Sequence, residues 1–425
     1  MQEVDTSYNR QDIIASIDIG TTKIVTIVAN VPLHGNIEII GVGKFPSHGL
    51  RKGLIVDLET TIHSIRESKN IAERMAGVMI NKAYVGITGQ HVQSIPSSAV
   101  VAVSDPHKGI TAEDKKRVIE VAKKVDIPAG RRLIDVLVRE YIVDGHTGIK
   151  DPLGMSGLRL EVNALLVTGA LNYFENIYRA VEAAEVEVAY LFLEPVASGE
   201  AVLTNDEKDS GVVLLDIGGG TTDIAIYQDS CIAHTSVIPV GGDHFDSDIS
   251  YGLGIPVKEA ERIKIMMGGV DRERLNSQDI IEVTKSGNGE KQNIPVKIIA
   301  EIILPRMEEL LQLVQKEITR TGFQGKIPAG LVMTGGGSQL KGVVDLSSSM
   351  FSMPVRVGRP HNIAGLREDV QSPIFSTGVG LLKLARQRID DSKGGTREAM
   401  NMGSWSKIWD KFVKNLSDLA KWYWR

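Results

Sequence analysis

Cysteine is nearly absent from this sequence, and its scarcity excludes one way of stabilising a fold. The 425 residues include a single cysteine, Cys231, so no disulfide can form within the chain. We therefore expect a reducing compartment such as the cytosol. No group of cysteine and histidine residues has the spacing of a zinc site either.

The sequence also lacks an excess of basic residues and any long apolar run. Its net charge of −5 gives no overall positive field for nucleic acid. No stretch reaches the roughly 18 apolar residues that a membrane-spanning helix needs, and the polar first twelve residues predict no signal peptide. With 42% hydrophobic residues, a chain of this length is instead expected to form two or more domains.

Two common nucleotide-binding signatures are missing. No Gly-x-x-x-x-Gly-Lys-Ser/Thr sequence occurs, which excludes a P-loop. No Gly-x-Gly-x-x-Gly follows the first predicted strand, which argues against a Rossmann dinucleotide site. Any phosphate-binding function must therefore use a different arrangement of glycines.

A glycine- and threonine-rich motif does follow a predicted strand at two places. The first copy is Asp18-Ile19-Gly20-Thr21-Thr22-Lys23, and the second, 198 positions later, is Asp216-Ile217-Gly218-Gly219-Gly220-Thr221-Thr222-Asp223. Glycine lets the backbone approach a ligand closely, and N–H groups with threonine hydroxyls can surround a phosphate. One copy alone could be an ordinary turn between two core strands. Two copies predict two similar domains that each place a phosphate loop in a shared cleft.

Charged residues at the edges of these motifs indicate a metal ion. Aspartates at both edges of the second motif could hold a hydrated Mg²⁺ against phosphate oxygens. Lys23 supplies a cation to the first motif.

Other elements are predicted from capping and breaking residues. Asp57 is expected to cap a long helix, and Thr111 to Asp114 resemble a capping box. Gly241 and Gly242 open a predicted helix, either with N–H groups near a ligand or as a simple turn. Pro305 lies inside a predicted helix at 296–321, where we expect a bend or break.

In this order, the motifs resemble the actin-like ATPase superfamily over about residues 13–385. The resemblance implies an α/β, actin-like two-domain ATPase fold, with the two motifs as phosphate loops. Leu193 to Gly199 resembles the first connecting segment, in which Glu194 would orient a water, and Gly378 to Gly380 resembles the second. The implied ATP-binding residues are Asp18, Gly20, Thr21, Thr22, Lys23, Asp216, Gly218, Gly219, Gly220, Thr221, Thr222, Gly241, Gly242, Glu261, Lys264, Gly335, Gly336, Gly337 and Ser338, with Asp18 and Asp216 holding Mg²⁺ through water.

Within that superfamily, two features resemble the FtsA family of bacterial division proteins: a module inserted at about residues 87–162 between the strands of the first domain, and the C-terminus. This resemblance implies ATP-dependent head-to-tail polymerisation with slow hydrolysis, binding of the FtsZ C-terminal tail, and attachment to the cytoplasmic membrane face at the division septum. It also implies recruitment of later division proteins by the inserted subdomain. Arg306 is a candidate contact for the acidic FtsZ tail, although it could equally be an ordinary surface arginine.

The resemblance also implies how the chain is divided. The predicted parts are subdomain 1A (1–86, 163–197 and 359–385), the inserted subdomain 1C (87–162), subdomain 2A (198–240 and 300–358), subdomain 2B (241–299), a flexible linker (386–403) and a membrane-targeting amphipathic helix (404–425).

The C-terminal segment has an unusual composition that supports the last assignment. Aromatic residues make up 5% of the chain, yet all four tryptophans lie in its last 21 residues. Apolar residues recur there at helical spacing, and the opposite face carries a net charge of +3. This pattern predicts a helix lying on an anionic membrane surface. The predicted membrane-facing residues are Trp405, Ile408, Trp409, Phe412, Leu416, Leu419 and Tyr423.

Alternative functions remain open at this point. The terminal helix could dock on a protein, which would make the chain a soluble actin-like ATPase. A pilus-assembly adaptor of the same superfamily also has the inserted module, but a lipid-seeking terminal helix is not expected of it. A phosphotransferase would need a substrate pocket, and a peptide-binding chaperone a large C-terminal domain; neither is evident in the sequence.

Overall fold

A computed structural model of the chain describes residues 13–32, 35–271, 278–287 and 289–394, with side chains described as far as residue 390. The chain divides into two compact units, residues 1–385 and 386–425. The strands are β1 (Ile13–Ile19), β2 (Lys23–Asn30), β3 (Ile37–Pro46), β4 (Leu50–Arg51), β5 (Leu54–Ile55), β6 (Lys82–Ile87), β7 (Gln93–Ala102), β8 (Arg131–Val143), β9 (His146–Ile149), β10 (Arg159–Ala170), β11 (Glu187–Leu193), β12 (Val212–Ile217), β13 (Thr222–Gln228), β14 (Cys231–Ile238), β15 (Ile280–Thr284), β16 (Lys291–Pro295), β17 (Leu331–Thr334), β18 (Val355–Val357) and β19 (Ile363–Gly365). The helices are α1 (Leu58–Ala76), α2 (Ala112–Ala122), α3 (Leu171–Ala183), α4 (Glu194–Val202), α5 (Asn205–Ser210), α6 (Gly242–Leu253), α7 (Val257–Met267), α8 (Val296–Arg320), α9 (Val343–Phe351), α10 (Arg367–Val370) and α11 (Ser376–Gly394).

Two mixed sheets form the centres of two similar domains. The first sheet has the strand order β11-β6-β1-β2-β3-β19, and the second has the order β14-β13-β12-β17-β18. In each sheet an antiparallel hairpin, β1–β2 or β12–β13, lies beside a parallel strand, β6 or β17. The repeated motif therefore predicted a repeated architecture, and the predicted fold class is confirmed.

The central strands are apolar because both faces of each sheet are covered. Residues 24–29 of β2 and 212–215 of β12 are buried without interruption. Strands that are covered on both faces show such continuous apolar runs instead of alternation. Each phosphate-loop motif consequently begins at the end of a strand that is held rigidly in a core.

Helix α1 packs on the first sheet, and its start was predicted. The Asp57 side chain accepts a hydrogen bond from the Thr60 N–H at 3.2 Å, which caps the helix. A Cβ at Gly43 of β3 would collide with the carbonyl oxygen of Ser68, so glycine is needed for this close approach.

An antiparallel sheet with the order β7-β10-β8-β9 forms the inserted module. Helix α2 packs on it and begins with the predicted capping box, since Thr111 and Asp114 each accept a hydrogen bond from the other's backbone N–H. Strand β10 pairs with β7 and β8 from Arg159 to Ala170. The predicted boundary at residue 162 thus lies inside this strand.

The inserted sheet also contacts the second domain. The Ser94 hydroxyl donates to the carbonyl of Thr235 in β14 at 3.3 Å. At the other end of the sheet, Lys150 Nζ lies 2.8 Å from Asp209 Oδ1 and 3.1 Å from Ser230 Oγ. These contacts connect the module to the second domain at two places.

No break occurs at Pro305, because α8 is one helix from Val296 to Arg320. Buried residues on both sides of the proline, including Ile303 and Met307, belong to the core of the second domain. A proline removes one helix hydrogen bond, and here packing along the whole helix compensates for that loss.

The last described helix differs from the prediction. A 3₁₀ turn at Pro373–Phe375 precedes α11, which continues to Gly394. The first nine residues of the predicted linker are therefore helical. The predicted membrane helix at 404–425 lies outside the described residues. Among the residues that the structure describes, no helix is long and apolar enough to cross a membrane.

Candidate functional site

The first loop, residues 20–22, is the turn of the β1–β2 hairpin. A Cβ at Gly20 would lie 2.8 Å from the carbonyl oxygen of Lys23, so the turn requires a glycine. Asp18 lies on β1 just before the turn and is buried, paired in register with Val25. The hairpin thus holds an aspartate, two threonines and a lysine within six residues.

The second loop, residues 218–221, is the equivalent turn of the β12–β13 hairpin. The Gly218 N–H donates to the Thr221 carbonyl at 2.9 Å and closes the turn. The next threonine is bonded within the protein, because the Thr222 hydroxyl donates to the buried carbonyl of Val240 at 2.8 Å. Thr222 therefore stabilises the base of the loop, and its predicted contact with ATP stays a prediction.

The two loops touch each other although they belong to different sheets. A Cβ added to Gly220 would lie 2.7 Å from Thr21 Oγ1, and one added to Gly219 would collide with the side chain of Thr22. The structure therefore brings the two glycine- and threonine-rich motifs together in one place.

Asp216 is oriented by residues from two distant parts of the chain. The Ser198 hydroxyl of α4 donates to Asp216 Oδ2 at 2.5 Å, and the Thr377 hydroxyl of α11 donates to the same oxygen at 3.3 Å. The two hydroxyls also lie 3.0 Å apart. The predicted connecting segments thus meet at this carboxylate.

Four carboxylates interact electrostatically near the loops, and burial shifts their titration. Burial raises the pKa of Asp18 to about 6, with Lys23 opposing and Asp216 adding to the increase. Burial raises the pKa of Asp223 to about 8, and the charge of Asp216 is the next cause. The pKa of Glu194 rises well above its usual range through burial and then through Asp18 and Asp223. A region this rich in buried acids favours binding of a cation.

Asp223 has one carboxylate oxygen that no protein group satisfies. The Thr88 hydroxyl, at the end of β6, donates to Asp223 Oδ2 at 2.8 Å. Asp223 Oδ1 is buried and has no hydrogen-bond partner among the described residues. Burying a hydrogen-bond acceptor without a donor costs free energy, unless a ligand or a water molecule donates to it.

Glu194 lies at the start of α4, where β6 approaches it closely. A Cβ at Gly86 of β6 would lie 2.9 Å from Glu194 Oε1. The acid predicted to orient a water is thus placed among Asp18, Asp216 and Asp223. Among the described residues, no group of three or more acids, histidines or cysteines is arranged to hold a metal ion directly.

The segment Gly335–Ser338 lies next to the same carboxylate cluster. Gly335 has a φ of 78°, and a Cβ there would collide with the Asp216 carboxylate. The Ser338 hydroxyl donates to the Gly335 carbonyl at 2.7 Å and closes the turn. These predicted ATP-binding residues therefore adjoin the predicted phosphate loops.

The start of α6, which contains Gly242 and follows Gly241, donates hydrogen bonds to the second loop. The N–H groups of Gly242 and Asp243 donate to the carbonyls of Gly218 and Gly219 at 2.9 and 2.8 Å. The Gly241 N–H lies 3.2 Å from His244 Nδ1. These hydrogen bonds favour the simple turn that the sequence also allowed, and the predicted contact of Gly241 and Gly242 with ATP stays a prediction.

Lys264 and Glu261 lie on α7 beside this helix start. Lys264 Nζ is 2.6 Å from Asp246 Oδ2 and 3.1 Å from the Gly242 carbonyl oxygen. Glu261 is half-buried and raises the pKa of Asp246 after burial, while Lys264 opposes this. Their predicted role in binding ATP stays a prediction.

Arg306 already has partners within the chain. Its Nε and Nη2 donate to Asp248 at 2.8 and 3.1 Å, and its Nη1 pairs with Glu309. These hydrogen bonds raise the pKa of the arginine. Any acidic peptide that binds here must compete with two carboxylates.

Three polar residues that join the site from distant parts of the chain were not predicted. Ser198 and Thr377 lie inside or directly before the predicted connecting segments, but nothing local marks them as partners of Asp216. Thr88 follows the apolar end of β6, and its pairing with Asp223 spans 135 positions. A polar residue directly after a buried strand was the available indication.

Two domains with facing hairpin loops define the actin-like class of proteins, and solved structures share this fold. The PilM–PilN type IV pilus biogenesis complex matches with a TM-score of 0.63 and 17% identity, covering 88% of this chain and 98% of that chain. MreB5 of Spiroplasma citri bound to ADP matches with a TM-score of 0.53 and 18% identity, covering 91% and 100%.

Sequence relatives identify the family within that class. The Cell division protein FtsA model matches residues 213–380, and the model for the SHS2 domain inserted in FtsA matches residues 89–168. The cell division protein FtsA of Pseudomonas aeruginosa is 42% identical over 378 residues, covering 89% of this chain and 90% of the relative. That of Bacillus subtilis is 41% identical over 377 residues, covering 89% and 84%. The chain belongs to the FtsA family and is an actin-like cell-division protein.

Proposed function

We propose that this chain binds ATP with Mg²⁺ between its two loops and uses the nucleotide as a switch for head-to-tail self-assembly. The contact between the loops beside four interacting carboxylates is the observation that supports this most strongly. The first and second loops surround the phosphates with N–H groups and hydroxyls. Lys23 neutralises part of the phosphate charge. Gly335–Ser338, Glu261 and Lys264 hold the nucleoside.

The residues present fit a hydrated magnesium ion. Lys23 opposes the raised pKa values of Asp18, Glu194 and Asp216, which indicates that the cluster is stabilised by positive charge. Mg²⁺ prefers oxygen ligands and usually keeps several waters. In our proposal Asp18 and Asp216 bind those waters, and the unpartnered Oδ1 of Asp223 accepts from another. The ion supplies charge neutralisation to the phosphate oxygens when bound.

Glu194 is the group that we propose to orient a water for slow hydrolysis. It lies among the other carboxylates, and burial holds its pKa high. The nucleotide then acts as an assembly switch, because slow hydrolysis leaves the bound state long-lived.

Calorimetric titration with Mg-ATP tests the nucleotide site. Asp216→Ala removes the carboxylate that Ser198 and Thr377 orient, and we expect affinity to fall by about 10- to 100-fold, as for other charge-assisted contacts. Asp209→Ala is the control, because Asp209 is an exposed aspartate of the same domain. Unchanged affinity in Asp216→Ala would contradict the two-loop site.

We also propose that the chain tethers FtsZ filaments to the cytoplasmic face of the cell membrane at the division septum. Membership of the FtsA family supports this, together with the aromatic, basic composition of residues 404–425. Burying several large apolar side chains contributes about 1.5–3 kcal/mol each as an upper bound. Three surplus positive charges add roughly 1 kcal/mol each at an anionic surface. Membrane binding should therefore be only partly sensitive to salt.

Co-sedimentation with anionic liposomes tests the tether. The full chain is compared with a 1–403 truncation, with and without Mg-ATP. We expect the truncation to stay in the supernatant yet to retain nucleotide-dependent assembly. Two point variants make the test more specific. Leu416 lies on the predicted apolar face, so Leu416→Glu should weaken pelleting. Asp418 lies on the opposite face, so Asp418→Glu should not. Equal pelleting of all proteins would instead make the segment a protein-docking helix.

The second domain is the proposed docking site for the FtsZ tail, with Arg306 as a candidate contact. Arg306→Glu should abolish binding of an acidic FtsZ tail peptide, since it reverses the charge that the peptide must meet. Arg320→Glu is the matched control, because Arg320 lies on the same helix and also pairs with a glutamate. Undiminished peptide binding in Arg306→Glu would remove this residue from the proposal. Recruitment of later division proteins is assigned to the inserted module.

A further inference from the structure

The end of α4 is held by basic side chains from two other parts of the chain. Lys383 of α11 donates to the carbonyl oxygens of Glu200 and Ala201 at 2.9 and 3.5 Å. Arg356 donates to the carbonyl oxygen of Val202 at 2.9 Å. The last carbonyls of a helix have no partner within it, so outside donors must satisfy them. Basic side chains suit this position, because the C-terminal end of a helix carries partial negative charge.

Helix α4 also carries residues of the site described above. Glu194 begins this helix, and Ser198 in its middle donates to Asp216 Oδ2 at 2.5 Å. Lys383 holds the opposite end of the same helix and joins it to α11, which contains the second predicted connecting segment. A change at Lys383 therefore acts on the helix that orients Asp216.

Lys383 differs from a neighbouring lysine in what its Nζ contacts. Lys208 Nζ of α5 lies 2.5 Å from Glu200 Oε1, so this amine is ion-paired with a carboxylate. The hydrogen bonds of Lys383 Nζ within the described residues go to neutral carbonyl oxygens instead. A neutral amine has two N–H groups, which match these two carbonyls, and its lone pair is then left to react.

The surroundings of Lys383 favour this neutral form. Burial lowers the pKa of Lys383 to about 8, with Glu200 opposing the decrease and Lys208 adding to it. His361 also faces this amine, since burial and then the charge of Lys383 lower the pKa of the histidine. A pKa of about 8 leaves roughly a fifth of the amine neutral at pH 7.4, against about a thousandth for an ordinary lysine. Lysines of this kind act as nucleophiles.

We propose that Lys383 is an acylation site, which an acyl phosphate modifies, and that the modification releases the end of α4 from α11. The Nζ lone pair attacks the acyl carbon and forms an amide C–N bond. The bond from that carbon to the phosphate oxygen breaks, phosphate leaves with the electron pair, and the displaced proton of Nζ passes to solvent. The product is neutral and keeps one N–H group, so the bonds to both carbonyls of α4 cannot be kept.

Labelling of the unmodified full chain with acetyl phosphate at pH 7.4, 8.5 and 10 tests the site. Peptide mass spectrometry measures the ratio of acetylation at Lys383 to that at Lys82, an exposed lysine paired with Glu187. Because both lysines are read in one sample, changes in the reactivity of the donor cancel. We expect a ratio of about ten at pH 7.4, since the slower attack of a less basic nucleophile offsets part of its larger neutral fraction. The ratio should fall to about one or less at pH 10, where an ordinary lysine also loses its proton.

Two results of this labelling would overturn the proposal. One is a ratio of one or less at pH 7.4, and the other is a ratio that does not change with pH. Lys208 gives an internal control in the same spectra, because an ion-paired ammonium has no lone pair for attack. Equal acetylation of Lys208 and Lys383 would likewise contradict the site.

Two variants of Lys383 test the release of α4. Lys383→Gln has the neutral amide of an acylated lysine, whereas Lys383→Arg keeps a positive charge and several donors. We expect the amides of residues 198–203 to exchange with solvent about five- to tenfold faster in Lys383→Gln than in Lys383→Arg, as for one lost hydrogen bond. Lys82→Gln makes the same chemical change at an exposed position and should leave this exchange unaltered.

Exchange of the α1 amides shows whether each variant is folded. Equal exchange of residues 198–203 in Lys383→Gln and Lys383→Arg, with α1 protected in both, would overturn the release of α4. The labelling experiment needs no variant, so it decides the acylation site even if Lys383→Gln fails to fold.

Discussion

The first and second loops have the same hairpin plan, but they differ in which residues complete it. The first loop has one glycine and is followed by Lys23, whereas the second has three consecutive glycines and is followed by Asp223 two positions later. The first loop contributes side chains to the contact, through Thr21 and Thr22. The second loop contributes its backbone to the contact, because the threonine side chains of the first loop lie against its glycines.

This difference shows that two copies of one motif can have complementary roles. Lys23 lowers the pKa of Asp18 against the effect of burial, while Asp223 keeps a raised pKa and an unpartnered oxygen. The first loop therefore supplies the positive charge, and the second loop supplies the backbone that the first loop approaches most closely. The predictions below separate these contributions.

The largest effect is expected from a side chain at the contact between the loops. Gly219→Ala would place a methyl group on Thr22, whereas the Cβ of Gly218→Ala would meet only the Thr221 carbonyl at 3.2 Å. Overpacking of this kind costs about 1–3 kcal/mol, so Gly219→Ala should weaken Mg-ATP binding by about 10- to 100-fold. Gly218→Ala should have a smaller effect in the same titration. If both variants lost a similar amount of Mg-ATP affinity, the loss could not be attributed to the contact between the two loops.

A pH dependence of intermediate size is expected from the acids of the two loops. The pKa values of Asp18 and Asp223 rise from 3.8 to about 6 and about 8 in the folded protein. Between pH 4 and those values the folded chain holds protons that the unfolded chain has lost, so stability falls as pH rises. Urea denaturation without nucleotide at pH 5.5, 7 and 8.5 should therefore give a declining free energy of unfolding.

The contribution of Asp223 to this decline can be isolated. Asp223→Asn keeps the acceptor for Thr88 but cannot ionise. Its decline should be shallower than that of the unmodified chain at every pH up to about 8, the folded-state pKa of Asp223. Parallel profiles for the two proteins would show that the raised pKa of Asp223 is not linked to folding.

The smallest effect is expected from equivalent threonines that serve different purposes. Thr222→Val removes the hydrogen bond to the Val240 carbonyl and should lower the free energy of unfolding by about 1–2 kcal/mol. Thr22→Val, in contrast, changes a half-buried residue at the loop contact and should weaken Mg-ATP binding with little change in stability. Measuring the free energy of unfolding and the Mg-ATP affinity of both variants tests this difference. If Thr222→Val weakened Mg-ATP binding without changing the free energy of unfolding, the Thr222 hydroxyl would be assigned to ligand binding instead.

The sequence was sufficient to predict local features of the site. Asp18 and Asp216 each follow a buried strand and precede a glycine turn, so their placement depends on neighbouring residues alone. The capping box at Thr111 was likewise predicted, because its two partners are three positions apart. Both cases need no knowledge of tertiary structure.

Features that depend on distant parts of the chain could not be predicted in this way. Asp216 bonds Thr377 across 161 positions, and Thr222 points to Val240 because β14 turns back beside β13. Pro305 predicted a bend or break from local rules, but α8 continues through this residue without a break. The predicted loops were thus located correctly, whereas the direction of their side chains needed the fold.

Cys231 makes the junction between the inserted sheet and the second domain accessible to spectroscopy. It lies half-buried at the start of β14, next to the turn where Lys150 meets Ser230. Burial raises the pKa of the thiol, so labelling will be faster in alkaline buffer. Because it is the one thiol in the sequence, a single fluorophore can be attached without removing any other cysteine. Its emission would report, in real time, whether the contact between the inserted sheet and the second domain changes as nucleotide is exchanged.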